Sequence, residues 1–565
     1  MPCIAATAQL MSKGSGDELV FLPLGGAGEI GMNLNLYGYG REGEHVWLML
    51  DLGITFGGGG VPGADVVMPD PAFIVERRDR LLGIVLTHAH EDHLGAVPYL
   101  WPRLRCPIYG TPFALAILRR KLAAAGLGES VPLRPLPTHG GLDLGPFHIE
   151  PIGMTHSIPE ANAIAIRTPL GTLLHSGDWK LDPDPVVGDS SDETGLRRLG
   201  DEGVLALICD STNVFEAGRS GSEGALLEAL STMIAGCPAG VAVACFSSNI
   251  ARLRTIAKAA QANGRDVVVT GSSLKRNVAV AAECGYLNDV PAFIEDHMGG
   301  FIPAERTVIV CTGGQGEPNA ALWKLAADEH PALHLAAGDT VIFSSRVIPG
   351  NEAAIGKLQN QLLRRGIGVR THRHGLIHVS GHPARDELKR MYELIRPQIA
   401  VPVHGELRHM IEHAQLAHSL EVPQTIIAEN GTLVRLAPAP AQSIDVVPAG
   451  RLAADGNRIL PLGDEILRER TRALYNGACL VTLGLRRRPA APAEIRISMI
   501  GLVAEHDNGA MERMHGAIGK AIDGLSETAY NDDAIVCETA RLAVRRVVRQ
   551  MLDKRPVTRV HAVRI

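Results

Sequence analysis

No CxxC pair occurs in the chain, and the nine cysteines are scattered and odd in number, which excludes a disulfide framework. They read as reduced thiols, as expected of a cytoplasmic protein. No apolar run approaches the roughly 18 residues of a membrane span, so a membrane partner is not expected. The first residues lack the basic start and apolar core of a signal peptide. Residues 1–10 read as a loose tail, and Met11 is a candidate for the native start, which intact mass would decide. Charge of one sign is also scarce. A formal net charge of −6 does not mark a polyanion binder, so any nucleic-acid surface has to be a local basic patch.

What is present is a long chain with ordinary globular chemistry. Its 565 residues, 46% hydrophobic and 21% charged, call for two to four domains with substantial cores. From Leu19 to about Ser211 short strand-like runs alternate with glycine turns: Leu19–Leu24, Met32–Tyr37, Val46–Leu50, Gly83–Leu86, His148–Ile152 and Thr172–His175. Between Asn213 and His374 the rhythm becomes strand then helix. Val241–Phe246 precedes Ile250–Ala262, Val267–Thr270 precedes Leu274–Glu283, Val308–Thr312 precedes Asn319–Ala327, and Val341–Phe343 precedes Glu352–Arg364. That alternation predicts a doubly wound parallel sheet. Its strands end in Ser247-Ser248-Asn249, Gly271-Ser272-Ser273, Thr312–Gly316 and Ser344–Arg346, where backbone amides and helix N-termini favour phosphate. Helix capping is the plainer explanation for any one of them. Beyond Pro438 the stretches 437–448 and 486–492 carry prolines. Ile495–Val503, Met511–Leu525, Asp533–Leu552 and Val557–Ile565 then read as a small α/β terminal domain suited to oligomerisation.

Chemistry concentrates in Thr87-His88-Ala89-His90-Glu91-Asp92-His93, entered from the apolar run Leu81–Leu86. Three imidazoles and a carboxylate on one turn gain nothing unless they hold metal. The spacing suits half of a binuclear zinc site, with a metal-bound hydroxide as nucleophile. His156, Asp178 and His404, each at the end of a strand-like run, are candidates for the missing ligands. Gly26-Ala27-Gly28-Glu29-Ile30-Gly31 fits GxGxxG, with Asp51 further on. The residues after it alternate as a strand, however, where a dinucleotide site needs a helix. Ser272-Ser273-Leu274-Lys275 fits SxxK with no supporting residues.

The order HxHxDH, His156, Asp178 in Gly177-Asp178 resembles the metallo-β-lactamase superfamily. That resemblance implies His88, His90 and His156 on one zinc, Asp92 and His93 on the other, and Asp178 bridging. The insertion Asn213–His374 resembles the β-CASP branch, whose members process nucleic acids. By that resemblance Glu317 matches an acidic motif, His382 in His378-Val379-Ser380-Gly381-His382 a second motif, and His404 a third that completes the second zinc. Within the branch the chain is similar to the ribonuclease J family. The strings carrying this are Gly25–Gly31, Asp210-Ser211-Thr212-Asn213, Ser248-Asn249, Ile348-Pro349-Gly350-Asn351-Glu352, Val379–His382, Pro402–Glu406 and Lys554-Arg555-Pro556. Gly314, Asn319 and Trp179 depart from the usual Ser, Met and Phe.

The implied fold is an αββα metallo-β-lactamase sandwich with an inserted β-CASP domain and a small α/β C-terminal domain. Its expected bounds are a disordered tail over 1–18, the lactamase domain over 19–212 and 375–455, the insertion over 213–374, and a linker with the oligomerisation domain over 456–565. The implied activity is zinc-dependent hydrolysis of RNA in RNA maturation and mRNA decay. It would run 5′-to-3′ from 5′-monophosphate ends, with endonucleolytic capacity. Asp92, Asp178 and His382 are the expected catalytic residues, with His382 as the acid that protonates the leaving oxygen. His378, Val379, Ser380, Gly381 and His382, with Ser247, Ser248, Asn249 and Glu317, are expected to contact substrate. Arg252, Lys275, Arg276 and Arg346 are candidates for tracking the RNA backbone. Two Zn2+ per subunit are expected, with Mn2+ or Mg2+ as alternatives supporting activity, and one structural Ca2+ at Asp51, Gly53 and Asp455. Expected partners are RNA, a second or further copies in a homodimer or tetramer, and a helicase. A hydrolase of small esters or thioesters explains the histidine cluster but gives the insertion no task. A non-catalytic RNA scaffold explains the insertion but not the full ligand set.

Overall fold

The computed structural model describes residues 16–56, 62–137, 140–348, 350–486, 494–504 and 507–565. The tail expected over 1–18 lies outside them as far as residue 15, as does most of the proline stretch 486–492. The chain forms two compact units, Met1–Thr55 with Met68–Gly450, and Phe56–Val67 with Arg451–Ile565.

Two large sheets build the first unit. One has the order Gln442–Val446, Thr432–Ala437, Glu18–Gly25, Leu34–Gly40, Val46–Leu50, Leu81–Val85, Ile108–Gly110, Leu133–Pro135. The other runs Leu142–Leu144, Phe147–Gly153, Asn162–Thr168, Gly171–His175, Ala206–Asp210, Ile399–Val403, Gln424–Thr425. Alternate residues of the facing strands pack into one core: Phe21, Tyr37, Leu48 and Val85 meet Phe147, Ile164, Leu173, Ile208 and Val401. The outer face of the second sheet buries Leu174, Leu207 and Cys209 against Leu196, Leu199, Met391, Tyr392 and Leu416, which lie on three helices. This is the αββα sandwich expected.

Residues between the last two long strands of the second sheet form the insertion. Its six strands are all parallel, in the order Ile294–Glu295, Asp266–Thr270, Thr307–Cys311, Val241–Ala244, Thr340–Phe343, Gly368–Arg370. Val241–Ala244 and Thr307–Cys311 are buried along their whole length, as strands covered on both faces must be. The helices Ile250–Ala262, Ser272–Glu283, Ala321–Ala327 and Glu352–Arg364 follow the strands as the alternation predicts.

In the second unit Ala478–Leu485 is the central strand between Glu494–Ile500 and Val557–Arg564. Its Cys479, Val481 and Leu483 point at Met514, Ile518, Val536 and Val544 of the helices Asn508–Asp523 and Asp533–Leu552. That central strand escaped the sequence reading, although its apolar residues alternate. No helix among the described residues is long and apolar enough to cross a membrane.

Candidate active site

Strand Leu81–Val85 is held between two parallel neighbours, Val46–Leu50 and Ile108–Gly110. Residues 87–90 leave its carboxyl end, and Glu91–Leu94 makes a single helical turn. The adjacent strand brings Asp51, fully buried, beneath this turn. Its carboxylate accepts from Thr87 N and Thr87 Oγ1, each at 2.8 Å, and from His93 Nδ1 at 2.7 Å. With Nδ1 so engaged, His93 presents Nε2 to the cleft.

Two neighbouring pockets result. In the first, His88 Nε2 and His156 Nε2 lie 3.0 and 3.1 Å from His90 Nδ1. His156 Nδ1 sits 2.6 Å from the Gly381 carbonyl, so it donates there and leaves Nε2 with a lone pair. Thr87 Oγ1 gives its proton to Asp51, so at 3.0 Å it accepts from His88 Nδ1, and His88 Nε2 is likewise unprotonated. Two lone pairs thus converge on a third ring nitrogen that can donate to only one of them. A cation relieves that arrangement.

Asp92, His93, Asp178 and His404 form the second pocket, their ligand atoms all within 4.8 Å of one another. Asn33 Oδ1 lies 3.1 Å from His404 Nδ1 and orients its Nε2 inward. Asp178 belongs to both pockets. Its Oδ2 is 3.2 Å from His93 Nε2, 3.4 Å from His404 Nε2, and 3.8 Å from both His88 Nε2 and His156 Nε2. Asp178 Oδ1 is buried and has no hydrogen-bond partner. An ionised oxygen left so is costly, which fits a carboxylate waiting for a divalent cation. The donor set of imidazole and carboxylate is the one zinc takes.

Electrostatics follow the same division. Burial, reinforced by charge on neighbouring imidazoles, holds His88 and His156 well below the ordinary histidine value, and burial brings His90 down to about 4. Burial also opposes charge on His93, but Asp178, Asp92 and Asp51 outweigh it and raise His93 well above that value. Burial would raise the Asp178 carboxyl, yet His404, His93 and His382 hold it well below the usual carboxylate range.

His382 stands beside both pockets. Its ring stacks on that of His404 with centroids 5.6 Å apart, and its Nδ1 is 2.8 Å from Asp210 Oδ2 and 3.8 Å from Asp178 Oδ2. Burial works against its charge, but Asp210 and Asp178 prevail and raise it to about 9. Asn213 Nδ2 donates to Ser380 Oγ at 2.7 Å and to the His382 carbonyl at 3.1 Å, fixing the loop. Gly381 approaches the His156 ring so closely that a Cβ there would lie 2.8 Å from it.

The other expected site residues have hydrogen-bond partners of their own. The carboxylate partnering His382 is that of Asp210, at the end of strand Ala206–Asp210. Glu317, expected to contact substrate, is exposed and accepts from Gln315 N at 2.9 Å. Asn249 caps helix Ile250–Ala262, its side chain accepting from Arg252 N at 2.8 Å. Ser247 and Ser248 are half-buried before it, and the Ser247 carbonyl accepts from Asn277 Nδ2 at 2.8 Å. Asp51 serves Thr87 and His93, and Asp455 is paired with Arg458 and Arg470, each at 2.6 Å. Gly53 is required for another reason: a Cβ there would overlap the Asp92 carbonyl. Arg252 is fully buried and so cannot track a backbone, whereas Lys275 is paired at the surface with Glu295 and Asp296 at 2.8 Å, and Arg346 with Glu216 at 2.5 Å. Asn33 and Asp210 were missed as site residues, and Asp51 was given a cation to hold rather than Thr87 and His93 to orient. Asp210, like Asp51 after Val46–Leu50, had a usable signal, a buried-type run ending in an acid.

A two-sheet sandwich with outer helices, paired imidazole–carboxylate pockets at its strand ends and an inserted parallel α/β domain define a metallo-hydrolase of the β-CASP class. Residues 62–192 match the beta-lactamase superfamily domain and 239–362 the ribonuclease J beta-CASP domain. Residues 366–427 match the Zn-dependent metallo-hydrolase RNA specificity domain, and 465–565 the ribonuclease J C-terminal domain. The chain is 44% identical to the ribonuclease J of Sinorhizobium meliloti over 97% of its own length and 98% of the relative's. It is 36% identical to that of Mycolicibacterium smegmatis over 94% and 95%. For that of Helicobacter pylori the identity is 32% over 98% and 80%. A solved Enterococcus faecalis protein of unknown function shares the fold at TM-score 0.51 and 16% identity, covering 74% of this chain and 100% of that one. The chain belongs to the ribonuclease J family.

Proposed function

We propose that this protein is a zinc-dependent ribonuclease. It would hydrolyse RNA phosphodiester bonds chiefly 5′-to-3′ from 5′-monophosphate ends, with endonucleolytic capacity. The observation that carries the reading is Asp178, one oxygen of which faces imidazoles of both pockets while the other is buried unpartnered. Its fit is to two cations: His88, His90 and His156 would hold one, Asp92, His93 and His404 the other, with Asp178 shared. Two Zn2+ bound there supply an acidified water and positive charge against phosphate oxygens.

The chain's own groups do the rest. Thr87 and Asp51, Asn33 and the Gly381 carbonyl fix the ring tautomers, so the ligand nitrogens keep their direction. Asp210 holds the His382 Nδ1 proton, leaving Nε2–H to protonate the departing 3′-oxygen as phosphorus is attacked from the opposite side. Products then carry 5′-phosphate and 3′-hydroxyl ends. Residues 378–381, with Ser247 and Ser248, would contact nucleotide. A terminal phosphate seated at a fixed distance from the pockets sets the next linkage over Asp178, and a triphosphate overfills that space. Assembly as a homodimer or tetramer through the C-terminal domain is supported by exposed Leu480, Ile500 and Val563, which share the sheet face opposite its helices.

The test is one end-labelled RNA incubated with the purified protein and Zn2+. Stepwise release of 5′-mononucleotides from monophosphate ends is the expected result. An intact RNA beside fast thioester turnover would overturn the reading in favour of a small-ester hydrolase.

A further inference from the structure

Arg252 is the largest buried cation in the insertion, and the mechanism above gives it no task. It is fully buried on helix Ile250–Ala262. Nε and Nη2 make a two-pronged pair with Glu223 at 3.2 and 2.9 Å, and Glu223 is itself only 2% exposed. Nη1 then reaches the Ser344 carbonyl at 2.9 Å, Ser344 Oγ at 2.7 Å, the Ile377 carbonyl at 3.2 Å and His378 Nδ1 at 3.3 Å. Ser344 Oγ in turn donates to the Ile377 carbonyl at 2.7 Å. One guanidinium therefore joins Glu223, the end of strand Thr340–Phe343 and the segment entering residues 378–382.

Chemistry dictates the consequence for His378. A guanidinium has donors only and keeps its charge at any working pH. A ring nitrogen facing it can only accept, so the His378 proton belongs on Nε2. Burial, followed by the charges of Arg252, Arg346 and Lys180, pushes His378 well below the ordinary histidine value, which keeps a second proton off the ring. His378 is half-buried.

We propose that Arg252 is a positioning residue for substrate binding. Clamped by Glu223, it fixes His378 as the neutral Nε2–H tautomer, a directed donor to an acceptor oxygen of RNA. The role in binding rests on the ribonuclease reading, whereas the tautomer does not. Glu223 supplies the direction, since its two oxygens orient the guanidinium plane and thereby aim Nη1 at the 377–378 segment.

Nitrogen NMR of the full chain labelled with 15N-histidine tests the tautomer, with His378 assigned by its loss in His378→Gln. A protonated Nε2 with a bare Nδ1 at neutral pH is expected; the reverse tautomer, or an imidazolium, overturns the proposal. The binding role is tested by KM for 5′-monophosphorylated RNA in His378→Ala, in the charge-free pair Arg252→Gln/Glu223→Gln, and in the triple variant. Each of the first two should raise KM about tenfold with a smaller change in kcat, and the triple should be no worse than either. An unchanged KM in a folded pair, or effects that multiply in the triple, overturns it. Should the pair fail to fold, Arg252→Lys, which lacks the second arm, enters the same cycle. RNA left uncut by the unaltered protein would remove the ribonuclease reading while the nitrogen shifts still decide the tautomer.

Discussion

Two histidines four residues apart, His378 and His382, are held in opposite protonation states. His382 faces Asp210 and Asp178, whose charges overcome burial and raise it to about 9. His378 faces Arg252 and lies near Arg346 and Lys180, and burial with those charges keeps it neutral. The ring is the same in both, and each neighbourhood is assembled from segments far away in sequence. The chemistry of a histidine here is set by what the fold puts opposite its Nδ1: a carboxylate makes a cationic acid, a guanidinium a neutral donor.

The most severe way to break this contrast is Asp178→Ala. It removes the carboxylate common to both pockets and one of the charges sustaining His382. RNA cleavage should fall to background, and metal bound per subunit, read by atomic emission, should drop; full activity would end the paired-cation account. Next comes His382→Ala, expected to lower kcat by about 10²–10⁴-fold while both metals stay bound, because a general acid is lost without a ligand. Metal loss in that variant would recast His382 as a ligand. The same change at His378 should fall on KM instead.

Asp210→Asn sharpens the comparison through pH. His382 is raised above its ordinary value, so its acidic form is present below about 9 and lost as pH rises through that value. Without the Asp210 charge this alkaline fall in single-turnover rate should move to lower pH, and an unmoved limb would show that Asp210 does not govern the proton. The mildest effect concerns the RNA itself. Replacing a 5′-monophosphate by a triphosphate should slow end-directed decay with little change in internal cleavage, and equal rates would dispose of a measured end pocket.

Much of this was legible in the chain. HxHxDH announces a metal site because its spacing is local, and the strand–helix alternation after Asn213 announces a parallel sheet. His156, Asp178 and His404 stand at strand ends, where their roles came from resemblance rather than spacing. The supports were harder to see. Asn33 meets His404 across 371 positions, and the Gly381 carbonyl meets His156 across 225, so no local pattern marks either. Arg252 was mistaken for a surface cation, yet a signal existed. Its helix runs Ile250, Ala251, Leu253, Ile256, Ala257, Ala259 and Ala260, all buried, a pattern apolar on nearly every side. An arginine in such company has to find its partners inside.

The contact between His156 and the Gly381 carbonyl has an outcome during protein synthesis. A nascent chain paused before residue 381 already has the three imidazoles of the first pocket, but nothing to hold the His156 ring. Before residue 404 it also lacks the last ligand of the second. Both pockets are therefore completed only by residues that follow the whole insertion in the chain, so the metal site closes last as the polypeptide lengthens.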